Sequence, residues 1–225
     1  ATDPVWFAGV RIYPNAAKRQ ALVTVSLGNA TGQPGRGVLK ASARCLTTPK
    51  GAAPAPLSVP VQWSATGGEV TFVYELGPTA PLWDEFNPAL HELTLEIPGA
   101  TAPHRATFGL REIEVADKQL ALNGRKIFLR GTLECCIFPL HGYPPTDLAA
   151  WKRILSVARA HGLNHLRFHS WCPPEAAFLA ADEMGFYFQV ECSAWSSQFN
   201  KGGLVDQWLY EESERIVAAN GNHPS

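Results

Sequence analysis

The chain has 225 residues, of which 46% are hydrophobic, and its formal net charge is −1 at pH 7. A chain of this length holds one large or two ordinary globular domains. The near-neutral charge gives no indication of a nucleic-acid or membrane partner, no apolar run of about 18 residues predicts a membrane span, and no signal peptide is visible at the start.

The first half of the sequence predicts an all-β domain. Seven short segments are rich in Val, Leu, Phe and Thr, and several of them alternate apolar with polar residues, as half-buried strands do. The predicted strands are 5–13, 21–27, 38–45, 57–61, 70–74, 93–97 and 106–109. Turn clusters rich in Gly, Pro and Asn separate them. Seven strands in about 110 residues are typical of an immunoglobulin-like sandwich, and a β-domain of another topology is the alternative.

In the second half, strands alternate with helices. The predicted strands are 127–131, 163–168 and 186–190, and the predicted helices are 147–161, Glu175–Met184 and Leu204–Asn220. Such an alternation gives right-handed βαβ units and a parallel sheet. A doubly wound nucleotide-binding sheet would need a glycine-rich turn after its first strand. Residues 131–136, which follow the first predicted strand, contain a single glycine, Gly131. A segment of a (β/α) barrel is therefore favoured.

Two details of the helices are also predicted. Thr146 is expected to cap the start of the first helix, and Gly162 to end it. Tryptophans on inward helix faces are expected in the core. The inward residues of the third helix are predicted to be Val205, Trp208, Leu209 and Ile216, and Trp151 is the corresponding core residue of the first helix.

Polar and aromatic side chains follow the predicted strand ends, where a barrel carries its active site. They are Glu134 and His141 after the first strand, Arg167, His169 and Trp171 after the second, and Glu191 and Trp195 after the third. Indole faces stack on sugar rings, and carboxylates and guanidinium groups bind hydroxyls or one another. The structural alternatives are an ion pair between Arg167 and Glu191, a core His169, packed tryptophans, and solvated Glu134 and His141.

The cysteines predict neither a disulfide framework nor a metal site. Their number, five, is odd, and no paired C-x-x-C motif occurs. All five are expected to be thiols and mostly buried. Four of them follow predicted strand ends and could approach one another: Cys135, Cys136, Cys172 and Cys192.

Six motifs occur in a recognisable order over residues 80–225. They include Trp83 with Pro88-Ala89-Leu90, Phe108-Gly109-Leu110-Arg111, Leu122-Asn123-Gly124 with Arg130-Gly131, Asn164 with Arg167, Gly185-Phe186-Tyr187 with Glu191, and Asn222-His223-Pro224-Ser225. In this order they resemble glycoside hydrolase family 2, the family of β-galactosidases, β-glucuronidases and β-mannosidases. Before residue 80 the resemblance rests on the strand pattern.

The resemblance implies a retaining hydrolase that removes terminal β-linked sugars with two glutamates. It places the acid/base glutamate about nine residues past Ser225 and the nucleophile further on, so neither catalytic glutamate is expected in this chain. Arg167 matches the arginine that steadies the nucleophile, and Glu191 matches the carboxylate that ends the third strand. His169, Trp171, Trp195 and Glu134 are expected to support the site or bind substrate.

The sequence departs from the family pattern at two places, and it also differs from the magnesium-dependent relatives. Val190-Glu191 replaces an asp-glu pair, and residues 169–173 replace a ser-his-tyr-pro run, so the residues that face the sugar differ. Trp195-Ser196-Ser197 stands where magnesium-dependent relatives have glu-x-his. We therefore expect no metal and no cofactor, and a sugar preference of its own.

Together these observations predict a multidomain chain, β and then α/β. An immunoglobulin-like sandwich over residues 1–110 is followed by the first three βα units of a TIM barrel over 111–225. The expected partners are a carbohydrate substrate and either the remainder of its own barrel or another chain that completes the fold. The family implies a periplasmic or secreted bacterial location. The alternative function is a non-catalytic carbohydrate-binding or interaction module on the same scaffold, and an esterase is disfavoured because no G-x-S-x-G motif occurs.

Overall fold

The computed structural model describes residues 3–47, 53–195, 197 and 199–225. The chain divides into two compact units. One comprises Ala1–Trp83, Ala89–Arg125 and Pro224, and the other comprises Asp84–Pro88, Lys126–His223 and Ser225.

Among the described residues, seven strands of the first unit form two antiparallel sheets. They are β1 (Val5–Asn15), β2 (Gln20–Asn29), β3 (Gly35–Cys45), β4 (Leu57–Trp63), β5 (Gly67–Glu75), β6 (Leu90–Glu96) and β7 (His104–Gly109). One sheet has the order β1-β2-β5, and the other has the order β4-β3-β6-β7. The all-β character predicted for this half is confirmed, and each of the seven predicted segments overlaps one of these strands; segment 93–97 extends one residue past the end of β6.

The two sheets share one hydrophobic core. Val23 and Val25 of β2 and Leu39 of β3 are completely buried in it, as is Leu95 of β6. The Tyr74 hydroxyl joins the sheets, because it accepts a hydrogen bond from the Ala43 amide (3.0 Å) and donates to the Ala55 carbonyl (3.1 Å). Alternating apolar residues therefore face inward from both sheets, as the strand period requires.

A small antiparallel sheet that was not predicted follows the seven strands. Its strands are β8 (Ile113–Ala116), β9 (Gln119–Leu122) and β10 (Arg125–Lys126), in the order β10-β9-β8. The turn between β8 and β9 contains Asp117 with a φ of 57°. Two-residue hairpin turns require such left-handed residues, and Asp tolerates this conformation better than most side chains do.

The second unit alternates parallel strands with helices, as predicted. The elements are β11 (Gly131–Glu134), α1 (Leu148–Ala160), β12 (His165–Phe168), α2 (Glu175–Met184), β13 (Tyr187–Gln189) and α3 (Leu204–Asn220). The strands form one parallel sheet in the order β11-β12-β13. One hydrophobic core joins α1 and α2 to the parallel sheet. The helices contribute Trp151, Leu155, Ala177 and Ala181; β12 contributes Leu166 and Phe168, and Phe186 directly precedes β13.

The first parallel strand is displaced from its predicted position at 127–131. It begins at Gly131, and Phe128 is 72% exposed. Gly131 pairs with His165 of β12, and a Cβ atom at position 131 would lie 2.4 Å from the His165 Nδ1. The strand therefore starts where a glycine makes room for the neighbouring ring, and Glu134 is its last residue rather than a loop residue.

Asp147, and not Thr146, caps α1. The Asp147 Oδ1 accepts a hydrogen bond from the Ala150 amide at 2.8 Å, which satisfies an amide that has no partner inside the helix. Trp151 is completely buried, as predicted.

The inward face predicted for α3 is not buried. No residue of α3 is buried within the part of the chain that the structure describes, and Trp208 is 38% exposed. Val205, Leu209 and Ile216 are partly exposed. Helical periodicity shows which residues share a face, but burial depends on what covers that face. Among the described residues, no helix is both long and apolar enough to span a membrane.

Candidate functional site

Six of the seven predicted site residues lie on or just after the carboxyl ends of the three parallel strands. Glu134 of β11 pairs with Phe168 of β12, so the loops after these strands leave the sheet at the same edge. Two backbone hydrogen bonds hold the loops together: the His169 amide donates to the Glu134 carbonyl (2.8 Å), and the Glu191 amide donates to the Trp171 carbonyl (3.4 Å). We call this group the rim: Glu134, Arg167, His169, Trp171, Glu191 and Trp195.

An ion pair connects two neighbouring strands of the rim. The Arg167 Nε and Nη2 both lie 2.6 Å from the Glu191 Oε1, and the Glu191 Oε2 accepts a hydrogen bond from the Ser170 amide at 2.7 Å. Ser170 has a φ of 59°, an unusual conformation for a residue with a side chain. The Ser170 amide and then the Arg167 guanidinium hold the pKa of Glu191 below its usual value. Glu191 therefore remains ionised and fixes the direction of the Arg167 side chain.

Glu134 lies in a different environment. Its Oε2 accepts a hydrogen bond from the Cys136 amide at 2.9 Å, and its carbonyl also accepts from the Trp171 Nε1 at 3.3 Å. Burial raises the pKa of Glu134, and its hydrogen bonds only partly oppose this effect. The rim thus holds two carboxylates whose pKa values are shifted in opposite directions.

The two rim tryptophans differ in exposure. Trp171 packs edge-on against Phe168 and Phe138, with ring centroids 5.2 and 6.5 Å away. Trp195 is 89% exposed, and its ring meets the edge of His169 at 5.6 Å. Trp171 is therefore partly a packing residue, whereas Trp195 presents an open indole face of the kind that stacks on sugar rings.

His141 is not part of the rim contacts. It is exposed and lies beside Tyr143, with ring centroids 6.3 Å apart. His141 is therefore solvent-exposed, which was the structural alternative considered for it from the sequence.

All five cysteines are thiols, but the expectation that most are buried is wrong. Cys135 and Cys136 are exposed, and the other three are partly exposed, because loops after strands carry four of them. Among the described residues, no group of three or more His, Cys, Asp or Glu side chains could hold a metal ion. Of the Trp195-Ser196-Ser197 segment, Ser196 lies outside the described residues.

Two buried polar residues form hydrogen bonds that were not predicted; Asn164 was named only as a motif residue, and Asp182 was not singled out. Asn164 is 6% exposed; its Oδ1 accepts from the Arg130 amide (2.7 Å), and its Nδ2 donates to the Glu85 Oε2 (2.8 Å) and the Phe128 carbonyl (3.1 Å). Asp182 is 1% exposed and lies four residues after Phe178 on the buried face of α2. A carboxylate on an otherwise apolar helix face was the available signal for Asp182.

No family model matches the chain. A β-galactosidase from Lactococcus lactis is 28% identical over 165 residues, which are 68% of this chain and 16% of that protein. The large subunit of a β-galactosidase from Latilactobacillus sakei is 26% identical over 166 residues, 64% of this chain and 25% of the subunit. The chain therefore spans a quarter or less of these curated relatives.

Solved structures match the whole chain. A glycosyl hydrolase family 2 member from Bacteroides cellulosilyticus has a TM-score of 0.82 and 23% identity, and the match covers 100% of this chain and 30% of that one. A family 2 β-galacturonidase from Eisenbergiella tayi, solved with galacturonate, has a TM-score of 0.83 and 22% identity, with 100% and 40% covered.

These matches show the fold of the chain. The chain has the fold of the corresponding part of glycoside hydrolase family 2 proteins, and its β-rich character is confirmed. Together with the β-galactosidases, they confirm the resemblance to family 2 that the motifs indicated.

Proposed function

We propose that the chain is part of a retaining exo-glycosidase that hydrolyses terminal β-linked sugars from oligo- or polysaccharides. The observation that carries this proposal is the rim, because an oriented arginine, a second carboxylate and an open indole face lie at the carboxyl ends of three parallel strands. In (β/α)₈ barrels the active site lies at that end of the strands. The β-galactosidases, β-glucuronidases and β-galacturonidases among its relatives support the proposal.

In this proposal the rim supports the chemistry without performing it. Retaining glycosidases use a nucleophile and an acid/base, both carboxylates, and the family pattern puts both beyond Ser225. Arg167, held by Glu191, would orient the nucleophile. Trp195 and His169 would contact the sugar, and Trp171 and Glu134 would support the loops that carry them.

The proposed domain organisation is an immunoglobulin-like sandwich over residues 1–110 and the first three βα units of a TIM barrel over 111–225. The sheet of the second unit supports the barrel. Leu133, Arg167 and Gln189 lie side by side in register, and all three are exposed, on the face opposite to the buried Leu166 and Phe168. In a closed barrel this face is the interior, which the remainder of the barrel, or another chain, would fill.

The test compares the full-length protein with the 225-residue chain on a panel of β-linked nitrophenyl sugars that includes galactoside, glucuronide, galacturonide and mannoside. The full-length protein is expected to hydrolyse at least one of them with retention of anomeric configuration, and the 225-residue chain to hydrolyse none. Turnover by the 225-residue chain would show that the catalytic carboxylates are within it. Inactivity of the full-length protein on the whole panel would refute the proposal that it is a glycosidase.

A variant pair tests the role of the rim. Arg167→Gln in the full-length protein is expected to lower kcat/KM by about 100-fold, because an oriented charge next to the reacting groups is lost. Arg153→Gln is the matched control, since Arg153 is an exposed arginine of α1. Equal activities of the two variants would contradict an active-site role for Arg167.

Trp195 is also the observation that favours the second candidate, a carbohydrate-binding module without hydrolysis. An open indole binds a sugar ring whether or not the bond is then cleaved. Sugar binding by a full-length protein that turns over no member of the panel, with the affinity lost in Trp195→Ala, would favour this candidate.

A further inference from the structure

A buried carboxylate holds the segment that follows α3. Asp182 of α2 is 1% exposed. The Nδ1 of His223 donates to its Oδ2 at 2.6 Å, and the Ser225 amide donates to its Oδ1 at 3.1 Å. Both oxygens of one buried side chain thus bind two residues of the Asn222-His223-Pro224-Ser225 motif.

The same segment begins to pair with the parallel sheet. The Phe188 amide of β13 donates to the Ser225 carbonyl at 2.9 Å, whereas the preceding amide, that of Tyr187, donates to the Asn164 carbonyl at 2.9 Å, on the β12 side. Successive amides of a strand point to opposite neighbours. Ser225 therefore lies along the edge of β13 that β12 does not occupy.

The His223 ring is held by two contacts with α2. Its ring stacks on Phe178, one turn before Asp182 on the same helix, with ring centroids 5.1 Å apart and an interplanar angle of 24°. The ring therefore cannot turn without losing either the stacking contact or the hydrogen bond to Asp182. Asp182, His223 and Phe178 form what we call the clamp.

We propose that Asp182 and His223 are positioning residues that set the register of a fourth strand against β13 and so orient the acid/base glutamate on it. This inference rests on the proposed function, which places that glutamate shortly after Ser225. A slip of one residue moves every side chain of a strand to the other face of the sheet. The clamp acts at the first residue of that strand, where a slip would begin.

A misplaced acid/base has a specific kinetic consequence. General-acid catalysis contributes about 10²–10⁴-fold where the leaving group needs a proton, and little where the leaving group is already a stable anion. Loss of the clamp should therefore impair the cleavage of a phenyl glycoside much more than that of a 2,4-dinitrophenyl glycoside of the same sugar. General destabilisation would lower both rates by the same factor.

The experiment uses the full-length protein and the variants Asp182→Ala, Asp182→Asn and Glu183→Ala. Glu183 is the matched control, because it is the next residue of α2, is exposed, and pairs with Lys152. Asp182→Ala should lower kcat/KM on the phenyl glycoside by about 100-fold and change kcat/KM on the dinitrophenyl glycoside by no more than about threefold. The comparison uses kcat/KM because this constant reports the step in which the leaving group departs, whereas the later hydrolysis of the glycosyl-enzyme is the same for both substrates. Asp182→Asn should restore most of the activity, since its Oδ1 can accept from the Ser225 amide and its Nδ2 can donate to the His223 Nδ1 once the ring carries its proton on Nε2. Glu183→Ala should match the wild type.

Equal losses on both substrates, or no loss, would overturn the proposal. If Asp182→Ala does not fold, His223→Gln takes its place under the same criteria. Amide hydrogen exchange of the peptide that contains Phe188 gives a readout independent of catalysis: it should be faster in Asp182→Ala and unchanged in Glu183→Ala. If the wild type hydrolyses no glycoside, the proposed function fails, and unchanged exchange in Asp182→Ala would refute the clamp separately.

Discussion

The two β-sheet regions of this chain use their faces differently. In the two sheets formed by β1–β7, the inner faces bury one another, and Val23, Val25, Leu39 and Leu95 are fully enclosed. In the parallel sheet, helices cover the face with Leu166 and Phe168, while Arg167 and Gln189 on the other face are exposed. The first region is organised around its core, and the second presents its polar side chains on the face and edge that the helices leave open.

The largest expected effect tests this contrast directly. Leu95→Ala should lower the free energy of unfolding of the 225-residue chain by about 3 kcal/mol, because a fully buried side chain is replaced by a cavity. Leu133→Ala is the matched substitution on the open face of the parallel sheet, where Leu133 is 49% exposed, and it should cost about 0.5 kcal/mol or less. Urea unfolding followed by tryptophan fluorescence measures both. Similar losses would show that the open face is packed after all.

The same contrast explains how much of the fold could be predicted from sequence. Alternation and turn residues were sufficient for all seven strands, because buried and exposed residues alternate along much of β1, β3, β4 and β5. The bounds of α2 and α3 were predicted because Pro174 precedes α2, Gly185 ends it with a φ of 65°, and Gly221 follows α3. These signals act locally and need no knowledge of tertiary contacts.

The errors concern contacts between distant residues. β11 starts at Gly131, where a side chain would collide with His165, and no local pattern shows this contact. Trp208 was predicted to be buried because it shares a helical face with other apolar residues. The helical period does not show whether another element covers that face. For the rim, strand ends were sufficient to gather the residues, but the left-handed φ of Ser170, which aims its amide at Glu191, could not be foreseen.

A smaller effect is expected at the start of α1. Asp147→Ala should lower the free energy of unfolding by about 1 kcal/mol, because the Ala150 amide loses the oxygen that caps it. Thr146→Ala should have almost no effect. This pair compares the cap that the structure shows with the one the sequence predicted. A larger loss in Thr146→Ala than in Asp147→Ala, by thermal or urea unfolding, would reverse that assignment.

The two rim carboxylates, Glu134 and Glu191, should affect the pH dependence of stability in opposite ways. Burial raises the pKa of Glu134, so its ionised form is disfavoured in the folded state. The resulting loss of stability appears as the pH rises above the unfolded value of about 4.3 and is complete once the pH exceeds the folded pKa. Glu134→Gln keeps an acceptor for the Cys136 amide, so it should be more stable than the wild type at neutral pH. This advantage should vanish below about pH 4, and its persistence at acidic pH would argue against titration of Glu134 as its cause.

Glu191→Gln should have the smallest effect, and its sign should be opposite. The Ser170 amide and Arg167 hold the pKa of Glu191 below its usual value, so the stability that the carboxylate contributes is present above the unfolded pKa of about 4.3. That contribution is lost as the pH falls through the lower folded pKa. The Arg167 and Glu191 side chains are 45% and 24% exposed, so water and salt screen the pair. The wild type should therefore be slightly more stable than Glu191→Gln at neutral pH, with a difference that shrinks in added salt and disappears in acid. If both glutamine variants shift stability in the same direction across the pH range, the opposite environments of the two rim carboxylates are refuted.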